Sequence, residues 1–307
     1  MLNLYWCDLA AFRAKDLHLP ALKRLVLEQC SGVSETAMAA LLEASPNLEI
    51  LNCRDLYFLA PTLSVSAHLR VLLLSKSHQF DDEAFCNLVN RCPLLEVVRL
   101  SECTQLTDVS VVELAHHADF LSGLYLCENS RFTDTALEAI AVHWGERLRH
   151  LCFYDCDGIT DEGFKHISVA GHQLVDFQVE HMSHITPAVI MAVLRVNPLL
   201  QEVTLGSFNQ EEGDALLTVL STCCPLLVYL NIYSCEEYTT DGVFAVVESC
   251  PQLRVLTVDP DCTVVNPFSR LLWRKLNPEM EIEEENFMSP AWSQYYCDYE
   301  EGMKIPE

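Results

Sequence analysis

A fixed register of leucines constrains this chain more than any other feature. The segments LKRLVLEQC (22–30), LEILNCRDL (48–56), LRVLLLSKS (69–77), LEVVRLSEC (95–103) and LSGLYLCEN (121–129) share the form L-x-x-L-x-L-x-x-C or a close variant. So do LRHLCFYDC (148–156), LVDFQVEHM (174–182), LQEVTLGSF (200–208), LVYLNIYSC (227–235) and LRVLTVDPD (253–261). Their first leucines stand 26, 21, 26, 26, 27, 26, 26, 27 and 26 residues apart, and a partial unit, LNLYWC at 2–7, precedes them. A period this constant means that one supersecondary unit is repeated, each copy burying its apolar side against its neighbours.

Within a unit, alternation over the last four to six residues marks a short strand with every second side chain buried. A turn follows, then an amphipathic run that opens on a hydroxyl residue: Ser34, Thr107, Thr133, Thr160 or Thr240, each followed by Asp or Glu. The hydroxyl satisfies an orphan N–H at the helix start, and the acid complements the helix dipole. In another unit Thr186-Pro187 puts proline at the first helical position, where its missing donor costs nothing. Pro46, Pro93, Pro198, Pro225 and Pro251 then stop each run before the next unit. This predicts an α/β solenoid with parallel short strands on the concave face and helices on the convex face, curved because helices are wider than strands.

Half of the residues are apolar, which is ample for a large core, and no uninterrupted apolar run of about 18 residues offers a membrane span. The first residues lack the basic segment of a secretory signal. Fifteen cysteines, an odd number with no C-x-x-C pair, fit free buried thiols in a reducing compartment, cytoplasmic and/or nuclear. A formal charge of −25 disfavours nucleic acid or an anionic membrane as partner, and either favours a basic protein partner or serves solubility.

No phosphate-loop, dinucleotide, zinc-protease or nucleophile-elbow motif occurs, so the chain reads as non-catalytic, without metal or cofactor. His116 and His117 are adjacent on a helix, diverge by about 100° and cannot chelate one ion together. Cys223 and Cys224 read as helix-end residues.

The unit L-x-x-L-x-L-x-x-C-x-x-(I/L/F)-T-D-x-(G/A)-(L/F)-x-x-(L/I)-x-x-x-C-P, best matched at 95–118, 148–171 and 225–250, resembles the cysteine-containing leucine-rich repeat of F-box/leucine-rich-repeat proteins. The resemblance covers roughly residues 2–277. It implies a horseshoe fold and the role of substrate receptor in a Skp–cullin–F-box ubiquitin ligase. The family's adaptor-docking F-box precedes its repeats. Here strand-like sequence begins at residue 2, so the expectation is a fragment or a repeat-only relative, with a Skp-type adaptor engaged only if an F-box lies upstream.

The expected organisation is a solenoid of about ten to eleven repeats over 1–277 and an acidic C-terminal cap or tail over 278–307. NPFSRLLWRKLN (266–277) reads as a last capped helix and PEMEIEEENF as a final polar strand. Trp292, Tyr295, Tyr296 and Tyr299 favour docking of the tail onto the solenoid. The short unit from Leu48 to Leu69 lacks a capped helix, which reads as tolerated drift or as a kink beside Tyr57 and Phe58.

Function then falls to the concave side chains between the core leucines. Arginines (Arg24, Arg54, Arg99) lie toward the N-terminal half, and acids (Asp176, Glu180, Glu202, Asp259) toward the C-terminal half. Tyrosine and arginine are frequent interface anchors. The candidate partner-binding residues are Arg99, Tyr125, His150, Tyr154, Glu180, Tyr229 and Tyr233. They would receive a protein substrate or, in the alternative of a non-ligase scaffold or inhibitor, a basic protein partner.

Overall fold

A computed structural model of the chain describes residues 1–5, 17–28, 30, 34–53, 65–78, 80–170, 173–206, 213–232, 238–258 and 266–284. Tyr233, Arg54, Asp259, most of the short second unit and the tail beyond 284 lie outside the described residues.

Among the described residues, twelve strands form one sheet in strict chain order, each parallel to its neighbour. They are β1 (Leu2–Tyr5), β2 (Arg24–Glu28), β3 (Ile50–Cys53), β4 (Val71–Ser75), β5 (Val97–Ser101) and β6 (Gly123–Cys127), then β7 (His150–Tyr154), β8 (Asp176–Glu180), β9 (Glu202–Gly206), β10 (Tyr229–Asn231), β11 (Val255–Val258) and β12 (Glu281–Glu284). The described helices are α1 (Glu35–Glu43), α2 (Asp82–Val89), α3 (Asp108–His117), α4 (Asp134–Trp144), α5 (Asp161–Ala170), α6 (Pro187–Arg195), α7 (Gly213–Cys223), α8 (Thr240–Ser249) and α9 (Pro267–Leu276). The partial unit at 2–7 supplies the first strand, and PEMEIEEENF the last.

The register of the leucines becomes the register of the sheet. Leu100 pairs with Leu126, Leu126 with Phe153 and Phe153 with Val179, all fully buried against the helices. One continuous core runs the length of the solenoid, with Phe153 edge-on to Phe164 of α5 at 5.3 Å. Burying such side chains is worth roughly 1.5–3 kcal/mol each, which is why single leucines set the repeat.

The cysteine position that ends the repeat points into this core. Cys156 Sγ donates to Leu126 O at 3.4 Å and Tyr154 O at 3.5 Å. Cys103 Sγ does the same to Leu74 O and Ser101 O, and its thiol is pushed up to about 12 by burial. In the unit between them Asn129 takes the place, its Nδ2 donating to Leu100 O and Cys127 O. At Cys103, Asn129 and Cys156 this position thus ties one strand end to the preceding repeat, whereas Met182 fills it as an apolar core residue.

The threonine–aspartate pairs do more than start helices. Thr133 donates its N–H and its Oγ1–H to the two carboxylate oxygens of Asp108, one repeat earlier, at 2.7 and 2.6 Å. Thr107 bonds Asp82, Thr160 bonds Asp134, Thr186 bonds Asp161 and Thr239 bonds Asp214 in the same two-pronged way. Each carboxylate thus sits at one helix N-terminus and pins the cap of the next. Gly163 fits beside this spine because a Cβ there would lie 2.5 Å from Asp134 Oδ1.

One cap expectation changes, and one holds. The cap of α8 is Thr239, whose hydroxyl accepts from Gly242 N, and Thr240 is the first helical residue. Thr186 begins α6 with Pro187 in its first turn and makes no side-chain bond to its own helix, while its hydroxyl donates to Asp161.

Candidate functional site

The concave face carries three columns of side chains, one column for each outward position of a strand. Alternation predicts exposure there, and β5 shows it: Val97, Arg99 and Ser101 are half-buried between buried Val98 and Leu100. Strands β4 and β6 are buried throughout. Arg99 explains part of this. It stands in register between Leu73 and Tyr125, and its guanidinium carbon lies 4.9 Å from the Tyr125 ring centroid. An arginine over a ring face covers apolar surface with its stem and guanidinium plane. Leu73 and Tyr125 are each only 4% exposed.

Tyr125 belongs to a small second cluster on this face, with Cys127 and Cys152, against which Val97 and Tyr154 pack. Burial pushes the Tyr125 phenol well above its usual range, with Asp176 adding to the effect and Arg99 opposing it. Next along the sheet, Gln178 Nε2 donates to both oxygens of Asp176 at 3.0 and 3.2 Å, and His150 Nδ1 lies 3.5 Å from Asp176 Oδ2. Asp176 and Glu180 are each 1% exposed. The Tyr154 ring meets His181 edge-on at 5.0 Å. Its phenol is pushed up to about 12 by burial and by the charges of Glu128, Glu180 and Asp155.

The structure therefore gathers Arg99, Tyr125, His150, Tyr154 and Glu180 onto four consecutive strands. Tyr229 lies on β10, three strands beyond His150 or roughly 14 Å away, where its Oη accepts from Thr257 Oγ1 at 3.5 Å. Arg99, His150, Tyr154 and Tyr229 remain half-exposed, whereas Tyr125 and Glu180 form the floor beneath them.

A rim adjoins this face that the sequence did not announce. Lys76, Glu102, Glu128, Asp155 and His181, each just after a strand, all adopt left-handed φ between 49° and 56°. Such a backbone costs about 1–2 kcal/mol at a non-glycine residue. It lets each N–H reach the last carbonyl of the following strand, from Lys76 N to Ser101 O at 2.9 Å through to His181 N to Gly206 O at 3.0 Å. The Lys76 ammonium reaches Glu102 at 3.4 Å. Farther along, partial burial and the charges of Glu102 and Asp155 raise the Glu128 carboxyl. The period of these positions equals the repeat, so the turn could have been found by following one residue past each strand.

Among the described residues, no three His, Cys, Asp or Glu side chains gather so as to hold a metal ion, and no helix is long and apolar enough to cross a membrane. His116 meets His143 of the next helix edge-on at 5.0 Å, and His117 Nδ1 lies 3.0 Å from Glu113 O.

No protein-family model and no curated protein matches the sequence. Solved structures do resemble it. One is a chain of the Rad7–Elc1 complex from yeast, with a TM-score of 0.52 and 14% identity, covering 73% of this chain and 80% of that one. Another is the TLR13 complex with the single-stranded RNA ssRNA13, with a TM-score of 0.50 and 16% identity. That match covers 91% of this chain but only 37% of the other. At such identities the likeness concerns the fold, and with the parallel sheet and its alternating helices it makes this chain a leucine-rich-repeat solenoid.

Proposed function

We propose that the chain is a non-catalytic protein-recognition module, the substrate-receptor part of a Skp–cullin–F-box type ubiquitin ligase, holding its target on the concave face. The observation that carries the binding role is the half-exposed set Arg99, His150, Tyr154 and Tyr229 on one rigid parallel sheet, over a floor that is already packed. Preorganised aromatic and arginine anchors lose little freedom on binding. The ligase role rests on the repeat pattern and holds only if an F-box lies upstream to dock the adaptor. The Rad7 neighbour, crystallised with Elc1, supports a protein partner. The free thiols of the described cysteines fit work in the cytoplasm or nucleus.

The test is affinity capture from cells with the full-length protein. Tyr154→Ala with Tyr229→Ala loses the captured target, while Val142→Ser with Val169→Ser on the convex face, where both valines are exposed, keeps it. Equal capture by both pairs removes the concave assignment. Absence of a Skp-type adaptor from the purified full-length protein removes the ligase role and leaves the binding role standing.

The acidic rim favours a second reading, a non-ligase scaffold or inhibitor gripping a basic partner through Glu102, Glu128 and Asp155. Steep weakening of binding with salt supports it, and indifference to salt counts against it.

A further inference from the structure

The last described helix departs from the pattern of the others. In an inner repeat the fourth residue after the cap faces the following helix. A Cβ at Gly163 of α5 would lie 3.1 Å from Leu137 Cδ2 of α4, and one at Gly242 of α8 would lie 2.9 Å from Leu217 Cδ1 of α7. Asn266 takes the cap place of α9, its Oδ1 accepting from Ser269 N at 3.0 Å. The fourth and eighth residues after it are Arg270 and Arg274, where α8 carries the buried Val243 and Val247. Among the described residues no helix follows α9 to lie against this face. With Lys275 the helix is basic and holds no acid, in a chain of formal charge −25.

A polar outer face is what the end of a solenoid needs for solubility. Solubility does not account for Leu271, 70% exposed, or Leu276, 42% exposed, on the same helix. Nor does it account for the cleft at the foot of α9. There Val247, Pro251, Leu276 and Pro278, together with Glu248 and Glu279, line a cavity of about 340 Å³.

We propose that this end of the solenoid is the docking site of the chain's own C-terminal segment, with the Trp292 indole in the cleft and Asp298, Glu300 and Glu301 against Arg274 and Lys275. That segment lies outside the described residues, and its order of charge matches the site. The uncharged run MSPAWSQYYC (288–297) precedes the acidic DYEE (298–301), as the cleft adjoins the basic helix face. The reach is sufficient. β12 ends at Glu284, and the eight residues from there to Trp292 span at most about 29 Å. The way back along β12 toward Pro278 is only about 10 Å.

The indole suits the cleft because it joins a large apolar body to a single N–H donor. Glu279 already holds Arg254 at 2.5 Å, so the Glu248 carboxylate is the acceptor for that N–H. Docking covers α9 as the next repeat covers an inner helix, and it brings the acids of the tail to the arginines that replace the usual apolar contact.

The experiment couples carboxylates to amines in the full chain with a zero-length carbodiimide, using a mixture of isotope-labelled and unlabelled protein, and maps the links by peptide mass spectrometry. The expected product joins Lys275 to Asp298, Glu300 or Glu301 within one molecule. Trp292→Ala slows its formation by about tenfold, although the changed residue is no part of the link. Leu276→Gln acts in the same direction from the cleft side, and a cooperative melting transition confirms that each variant is folded. Absence of a link from the tail to Lys275, an unchanged rate in the folded Trp292→Ala variant, tail links to Lys76 on the rim of the concave face, or links between labelled and unlabelled copies would each overturn the proposal.

Discussion

The two faces of the sheet put the same residue types to different uses. On the helix side Cys103 and Cys156 are inert donors to backbone carbonyls, whereas Cys127 and Cys152 on the concave side lie in a small cluster with Tyr125. Phe153 is sealed against Phe164, while Tyr154, one residue on, stays half-exposed beside His181. Helices close the first face, so depth there follows from the repeat alone. Among the described residues no helix covers the second, and depth depends on which neighbour is large enough to lie over which. Burial without a covering layer is what Arg99 does for Tyr125.

The sharpest way to break this contrast is to truncate adjacent residues of one strand. Phe153→Ala should destabilise by about 3–5 kcal/mol in denaturant unfolding, the usual cost of emptying an aromatic core site. Tyr154→Ala should cost clearly less and act on partner binding. Equal losses would mean that the concave side is as deep a core as the helix side.

The aspartate spine comes next. Asp134→Ala leaves the Thr160 N–H and hydroxyl without their acceptor, at a cost of about 1–3 kcal/mol. Gly163→Ala tests the same contact by sign. Helix propensity alone favours alanine over glycine by about 1 kcal/mol, yet the added Cβ meets the Asp134 carboxylate, so the variant should be less stable. A gain in stability would show that the spine yields freely.

Asp82 adds a pH dependence. Burial works against its charge, but hydrogen bonds from Ser110 and Thr107, with Arg131 nearby, hold its carboxyl below the ordinary value of 3.8. With the folded value below the unfolded one, the stabilisation is complete above about pH 4 and is lost as pH falls through the folded value. Asp82→Asn should flatten that part of the acid unfolding curve. The smallest effect belongs to the exposed pair Lys165 and Glu162, where Lys165→Ala should change stability by less than about 0.5 kcal/mol.

The strands, their order and their parallel pairing were legible because the leucine period is itself the lattice of the sheet. The first and last strands could be read for the same reason. The Thr–Asp pairs were legible as helix starts but not as a spine, since each carboxylate spends its oxygens on a residue 25 or 26 positions away. A local motif carries no sign of that. Thr240 reads as a cap because it directly precedes Asp241, and only the backbone geometry places the cap one residue earlier, at Thr239. On the concave face, composition marked Arg99, Tyr125 and Tyr154 alike, although one covers, one is covered and one protrudes.

By itself, then, the sequence determined which residues face the helices, because burial against a repeating neighbour needs only the period and the apolar type. The tertiary structure alone decided what the concave side chains do. Their depth, partners and charge states depend on side chains from adjacent repeats meeting across about 4.8 Å of sheet, and no single repeat contains that information.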